Sequence, residues 1–75
     1  MPITKTESVK EPTLEEAQKF VGGTVEMVYL PHGGQMLVNE EGLLRNLEVN
    51  DMATRIAGKM IVGDVMILTG KAVWT

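Results

Sequence analysis

The chain has no cysteine, a single histidine and only three aromatic side chains, Phe20, Tyr29 and Trp74, among its 75 residues. Without a thiol, a disulfide framework, a thiolate zinc site and thiol-based catalysis are excluded. The lack of cysteine also fits a reducing compartment. Basic residues are few and scattered: seven Lys and Arg stand against ten Asp and Glu, for a net charge of −3. A nucleic-acid surface depends on clustered Lys and Arg that displace counterions, so nucleic acid is not expected as a partner. No apolar stretch approaches the roughly 20 residues of a membrane helix, and the first residues lack the basic and apolar regions of a signal peptide. No membrane is expected as a partner, and the cytoplasm is the expected location.

What is present is a small apolar core dominated by aliphatic residues. Hydrophobic residues make up 44% of the chain, enough for a globular domain but with little bulk in each side chain. A domain of this size buries only about 60% of its unfolded surface. Such chains often complete their burial against a partner subunit. Six Met residues suit irregular contacts in a core or at an interface. A homo-oligomer is therefore expected.

Residues 1–11 read as a polar tail, partly disordered or lying along the surface, and residues 12–75 as a single domain. Thr13-Leu14-Glu15-Glu16 is a capping box that opens a helix over Leu14 to Val21, and Gly22 can close it with positive φ. Thr24 to Leu30 reads as a strand, with Val25, Met27 and Tyr29 on one face and Thr24, Glu26, Val28 and Leu30 on the other. Pro31-His32-Gly33-Gly34 predicts a turn, and Gln35 to Asn39 the returning strand of a hairpin. Asn39-Glu40-Glu41-Gly42 predicts a second turn, with Leu43 to Leu47 as a third strand. Asn50 is an N-cap for a short helix over Asp51 to Ala57, closed by Gly58. Met60 to Thr69 reads as a strand buried on both faces, with Gly63 marking a bulge, a bend or a close backbone approach, and Ala72 to Thr75 as a final short strand. The expected fold is α+β: an N-terminal helix, an antiparallel sheet of three to five strands and a short second helix. The alternative is a small Sm-like or SH3-like barrel with an N-terminal helix.

Candidate chemistry is sparse. His32 sits at a hairpin tip with no identifiable orienting acid or nucleophile, and reads as a solvated turn residue. Asn39, Glu40 and Glu41 lack the spacing of a calcium loop, so no metal is expected. Glu15 and Glu16 are accounted for by helix capping. The paired glycines do not precede a helix with a following Lys and Ser or Thr, so no phosphate loop is present. Asp64 lies within the most apolar segment, where a carboxylate requires a partner. Arg45, Arg55 or the backbone amides at the Gly63 bend could supply it. If a small ligand binds, Asp64, Arg45, Arg55 and Tyr29 are the polar groups expected to meet it. No cofactor is expected, and no nucleophile, base and orienting group assemble into a catalytic set, so an enzyme is not expected.

Leu14-Glu15-Glu16-Ala17-Gln18-Lys19-Phe20-Val21-Gly22-Gly23, the strand Val25-Glu26-Met27-Val28-Tyr29-Leu30, Val38-Asn39-Glu40-Glu41-Gly42, then Asn50 and Ala53, and Ile61-Val62-Gly63-Asp64-Val65 form a pattern. It resembles a family of small uncharacterised domains encoded mainly by bacteriophages and mobile elements. The resemblance spans Thr13 to Leu68 and carries no known catalytic or binding residue. It implies a non-enzymatic accessory role in the cytoplasm of an infected bacterium. The expected function is a structural or interaction module that self-associates; the alternative is a protein that sequesters a small ligand or nucleotide metabolite at a subunit interface.

Overall fold

The computed structural model describes residues 1–75. Strand β1, Thr4–Glu7, is followed by helix α1, Leu14–Val21, and by the hairpin strands β2, Val25–Tyr29, and β3, Gln35–Asn39. Helix α2, Asp51–Ala57, and strand β4, Val65–Leu68, complete the regular elements. The sheet runs in the order β1-β4-β3-β2. β3 pairs antiparallel with both β2 and β4, whereas β1 pairs parallel with β4, Thr4 facing Val65 and Glu7 facing Leu68.

Both helices occupy the expected residues because their signals are local. In α1 the Glu16 amide donates to Thr13 Oγ1 at 3.0 Å, and the Thr13 amide donates to Glu16 Oε1 at 2.8 Å. Gly22 ends the helix at φ 84°. In α2 the Ala53 amide donates to Asn50 Oδ1, and Gly58 ends the helix at φ 76°.

The helices lie on opposite faces of the sheet, giving three layers. Ala17 and Phe20 of α1 pack with Leu37, Met66, Leu68 and Ala72. On the other face Ala53 of α2 packs with Met36, Val38, Ile61, Val65 and Ile67. Every residue of β3 and β4 is buried, as expected for central strands covered on both sides. Met36, Leu37, Val65 and Leu68 are fully enclosed, and each contributes about 1.5–3 kcal/mol by leaving water.

Three buried amides tie the layers together. Asn50 Oδ1 also accepts from Thr4 Oγ1 at 3.1 Å, while its Nδ2 donates to the carbonyls of Gly63 at 3.0 Å and Ile3 at 3.4 Å. Asn39 Nδ2 donates to the Val21 carbonyl at the end of α1, and Asn39 Oδ1 accepts from the Glu41 amide. Gln35 binds the Trp74 backbone at both its N–H and its C=O, each at 2.7 Å. Trp74 Nε1 donates to the Pro12 carbonyl, so the indole closes the α1 face of the core.

Several expectations are corrected. The α+β class holds, but the sheet is mixed, and it is open with β1 and β2 at its edges rather than closed into a barrel. The first helix follows a strand, because Thr4–Glu7 of the polar tail completes the sheet. Leu43 to Leu47 is not a strand. Residues 40–46 coil into a turn that ends with Asn46 at φ 54°, the Leu47 amide on the Gly42 carbonyl and the Asn46 amide on the Leu43 carbonyl. That is a Schellman closure with Asn at the left-handed position. Gly42 permits it: a Cβ there would stand 2.6 Å from Val62 Cγ2. The long apolar run yields only Val65–Leu68 as strand, with Val62 bridging Val49 before the bend at Gly63. The final strand is replaced by a 3-10 turn over Gly70–Ala72, since the Gln35 side chain occupies the backbone groups of Trp74.

Two predictions follow from this architecture. Asn50→Asp preserves an N-cap oxygen but replaces the donor to Gly63 with a carboxylate facing carbonyls. Urea denaturation should show a loss of about 2–4 kcal/mol, whereas a residue serving only as a cap would tolerate the change. The second concerns Glu16, whose carboxyl is held below the usual glutamate range chiefly by the Thr13 amide. A lowered native pKa stabilises the fold at pH values above the unfolded glutamate range, and that contribution is lost as pH falls through the native pKa. The melting temperature should drop as the solution is taken below about pH 4.5, and Glu16→Gln should flatten that segment of the curve.

Candidate interaction surface

The two edges of the sheet differ in character. On β2 the register is set by the Glu40 amide bonded to the Thr24 carbonyl at 2.8 Å and the Leu30 amide bonded to the Gly34 carbonyl at 3.1 Å. Residues of an antiparallel strand alternate between bonding the neighbour and turning their N–H and C=O away. Thr24, Glu26, Val28 and Leu30 therefore bond toward β3, and Val25, Met27 and Tyr29 present their main-chain groups at the open edge. On β1 the Val65 amide bonds the Ile3 carbonyl and the Thr69 amide bonds the Glu7 carbonyl. Thr4 and Thr6 are then the outward residues. β1 is short and carries Lys5 and Glu7, paired at 3.4 Å; charges and brevity of this kind discourage edge pairing.

Beside the β2 edge, on the α2 face, an apolar groove of about 200 Å³ is lined by Val28, Val38, Leu43, Met60, Ile61 and Val62. Glu26, Asn39, Glu40 and Lys59 supply the polar part of its lining. Leu43 is 69% exposed, Leu44 84% and Met60 61%. The turn over residues 40–46 produces this exposure: as a strand, Leu43 to Leu47 would have hidden alternate side chains, whereas the compact turn puts both leucines into water.

The residues proposed from sequence for a ligand do not share a cavity. Asp64 is half-buried, and its Oδ1 accepts from the Ile3 amide at 2.8 Å, which anchors the start of β1. Its partner is thus a backbone amide from the opposite end of the chain, not Arg45, Arg55 or an amide of the Gly63 bend. Arg45 Nη1 donates to the Gly22 carbonyl at 2.8 Å, a cation placed at the negative end of α1. Arg55, in the last turn of α2, borders a shallow groove with Met1, Pro2 and Asp51. Asp64 borders a neighbouring one that also includes Met1 and Pro2. Tyr29, 77% exposed, lies apart from both on the outer strand. His32 is exposed at the hairpin tip.

A further groove of about 150 Å³ between β1 and α1 holds Lys5, Lys10, Glu7, Glu11 and Glu16 beside Phe20. Its charges are of both signs, Glu16 is engaged by Thr13, and Lys5 lies 5.7 Å from the Phe20 ring centroid. No group of three His, Asp or Glu side chains is arranged to hold a metal ion. Every buried side-chain nitrogen and oxygen has a hydrogen-bond partner. No helix is long and apolar enough to cross a membrane. The sequence reading missed the roles of Gln35 and Asn39; a polar amide at each end of an otherwise apolar strand was the available signal.

Fold and surface define a small α+β domain with a mixed four-stranded sheet, a helix on each face and one open strand edge next to an apolar groove. Residues 2–72 match the model of a domain of unknown function, DUF3846, and the chain belongs to that family. The match includes β1, ahead of the segment that carried the resemblance in the sequence. No curated protein and no solved structure matches the chain.

The Asp64 contact makes a direct prediction. Asp64→Ala should leave the fold intact at a cost of about 1 kcal/mol, while amide exchange at Val65 and at Thr69 just after β4, which bond β1, becomes faster than at Met66 and Leu68. Uniform exchange across β4 would show that Asp64 does not anchor β1.

Proposed function

We propose that the protein is a non-enzymatic interaction module that self-associates. The observation that carries this reading is the exposure of Leu43 and Met60, both of which line an apolar groove. A chain of 75 residues with 18 of them buried has a small core, and apolar area left in water next to it is free energy that a second subunit can recover. The self-association reading is preferred to a ligand-sequestering one because Asp64, Arg45, Arg55 and Tyr29 border no common cavity, and Asp64 and Arg45 are engaged by backbone groups. The resemblance to phage-encoded domains supports an accessory role in the cytoplasm of a host bacterium.

Sedimentation equilibrium at low micromolar concentration tests the proposal. A particle of about twice the 8.2 kDa chain mass is expected, shifting toward the monomer in Leu43→Ser/Met60→Ser, whose exposed positions leave the core intact. A monomer across the accessible concentration range would overturn it.

A further inference from the structure

The open edge of β2 can pair with a second copy of itself in register. Its outward residues, Val25, Met27 and Tyr29, are spaced evenly about Met27. A second β2 strand running antiparallel, related by a two-fold axis through Met27, places Met27 opposite Met27, Val25 opposite Tyr29 and Tyr29 opposite Val25. All three pairs are of the hydrogen-bonded kind, so every outward N–H and C=O of the strand meets a partner. We infer that two copies of this chain join through their β2 edges in this register, merging two four-stranded sheets into one continuous sheet. The inference rests on the self-association reading and assigns it a surface.

Side chains agree with the backbone. On the α1 face the exposed Tyr29 ring would cover Val25 of the second copy, which is half-buried at the margin of the α1-face core; aromatic and β-branched residues are favourable cross-strand neighbours. On the α2 face Glu26 would stand opposite Val28 of the second copy, beside the groove that Lys59 borders. Glu26 is the only charge in β2, and neither it nor Lys59 has an ion-pair partner within the subunit, where Lys5–Glu7 is the one ion pair. The two-fold sets no like charges directly opposite one another; the Glu26 side chains of the two copies stand on the diagonal, each beside a groove that also holds Lys59 and Glu40. The two apolar grooves would flank the axis on the same face. The arrangement is isologous and closed, and it leaves as outer edges only the two β1 strands, which are short and charged.

An extended peptide could add to the same edge by main-chain bonds, but self-pairing also sets the exposed Tyr29 over the half-buried Val25 of the second copy.

The lack of cysteine permits an unambiguous test. In a hydrogen-bonded antiparallel pair the Cα atoms are about 5.5 Å apart, within reach of a disulfide. Met27→Cys should form a disulfide dimer under mild oxidation at micromolar concentration, at least about tenfold faster than Thr6→Cys, which probes the opposite edge by the same chemistry. Tyr29→Lys, at an exposed position, should weaken the dimer about tenfold or more without changing the monomer's melting behaviour. If sedimentation shows a dimer but Met27→Cys links no faster than Thr6→Cys, the β2 register is wrong while self-association stands. If Tyr29→Lys leaves dimerisation unchanged, the edge is not the interface. If the chain is monomeric throughout, both proposals fall.

Discussion

Asn50 sits where the start of α2, the edge strand β1 and the bend before β4 meet, and its one amide group serves all of them. Its oxygen caps α2 through the Ala53 amide and accepts from Thr4 on β1, and its nitrogen donates to the carbonyls of Gly63 and Ile3. A buried amide left half-satisfied is costly, so this position demands that the helix, the edge strand and the bend before β4 be placed together. Once they are, Asp64 beside Gly63 is carried to the Ile3 amide, and the parallel pairing of β1 with β4 is held at its start by two side chains.

Gln35 and Asn39 apply the same device at the two ends of β3. Asn39 secures the end of α1 and the turn that follows the strand, and Gln35 secures the backbone at Trp74. The hydrophobic residues decide that a sheet is sandwiched between helices, but aliphatic side chains are interchangeable and do not by themselves decide which loop lies where. The amides do, because each has a fixed number of donors and acceptors and a direction for each. A core this small gains definition from polar groups in its seams.

How much of this was legible in the sequence follows from the range of the interactions. α1, α2 and the β2–β3 hairpin are specified by neighbours in the chain: Thr13 and Glu16, Asn50 and Ala53, Pro31 and the glycines after it. The bounds of both helices and of β3 match the expectation, and β2 is one residue shorter at each end than expected. β1 could not be read in this way, because Thr4–Glu7 is polar and becomes a strand only by lying along β4, more than half the chain away. The turn at residues 40–46 was misread as leading into a strand because Leu43, Leu44 and Leu47 suggest burial, whereas the local geometry is decided by the contact of Gly42 with Val62 and by Asn46 in a left-handed conformation. For the candidate site, Asp64 was correctly singled out as needing a partner, but that partner is a main-chain amide that no side-chain pattern announces. The open β2 edge was hidden for a similar reason: which groups of a strand face outward depends on register, and register is a property of two strands.

The pairing of Thr4 with Val65 also imposes an order on events. β1 is the first part of the sheet to be synthesised and among the last able to take its place, since the strand it needs does not exist until Leu68 has been added. Contacts this distant in sequence slow folding because the loop entropy is spent before the contact forms. The growing chain can assemble α1 and the β2–β3 hairpin early, yet it holds that partial structure with one side of β3 bare until β4 arrives. The sheet is whole only when its first strand in the chain is captured by its last.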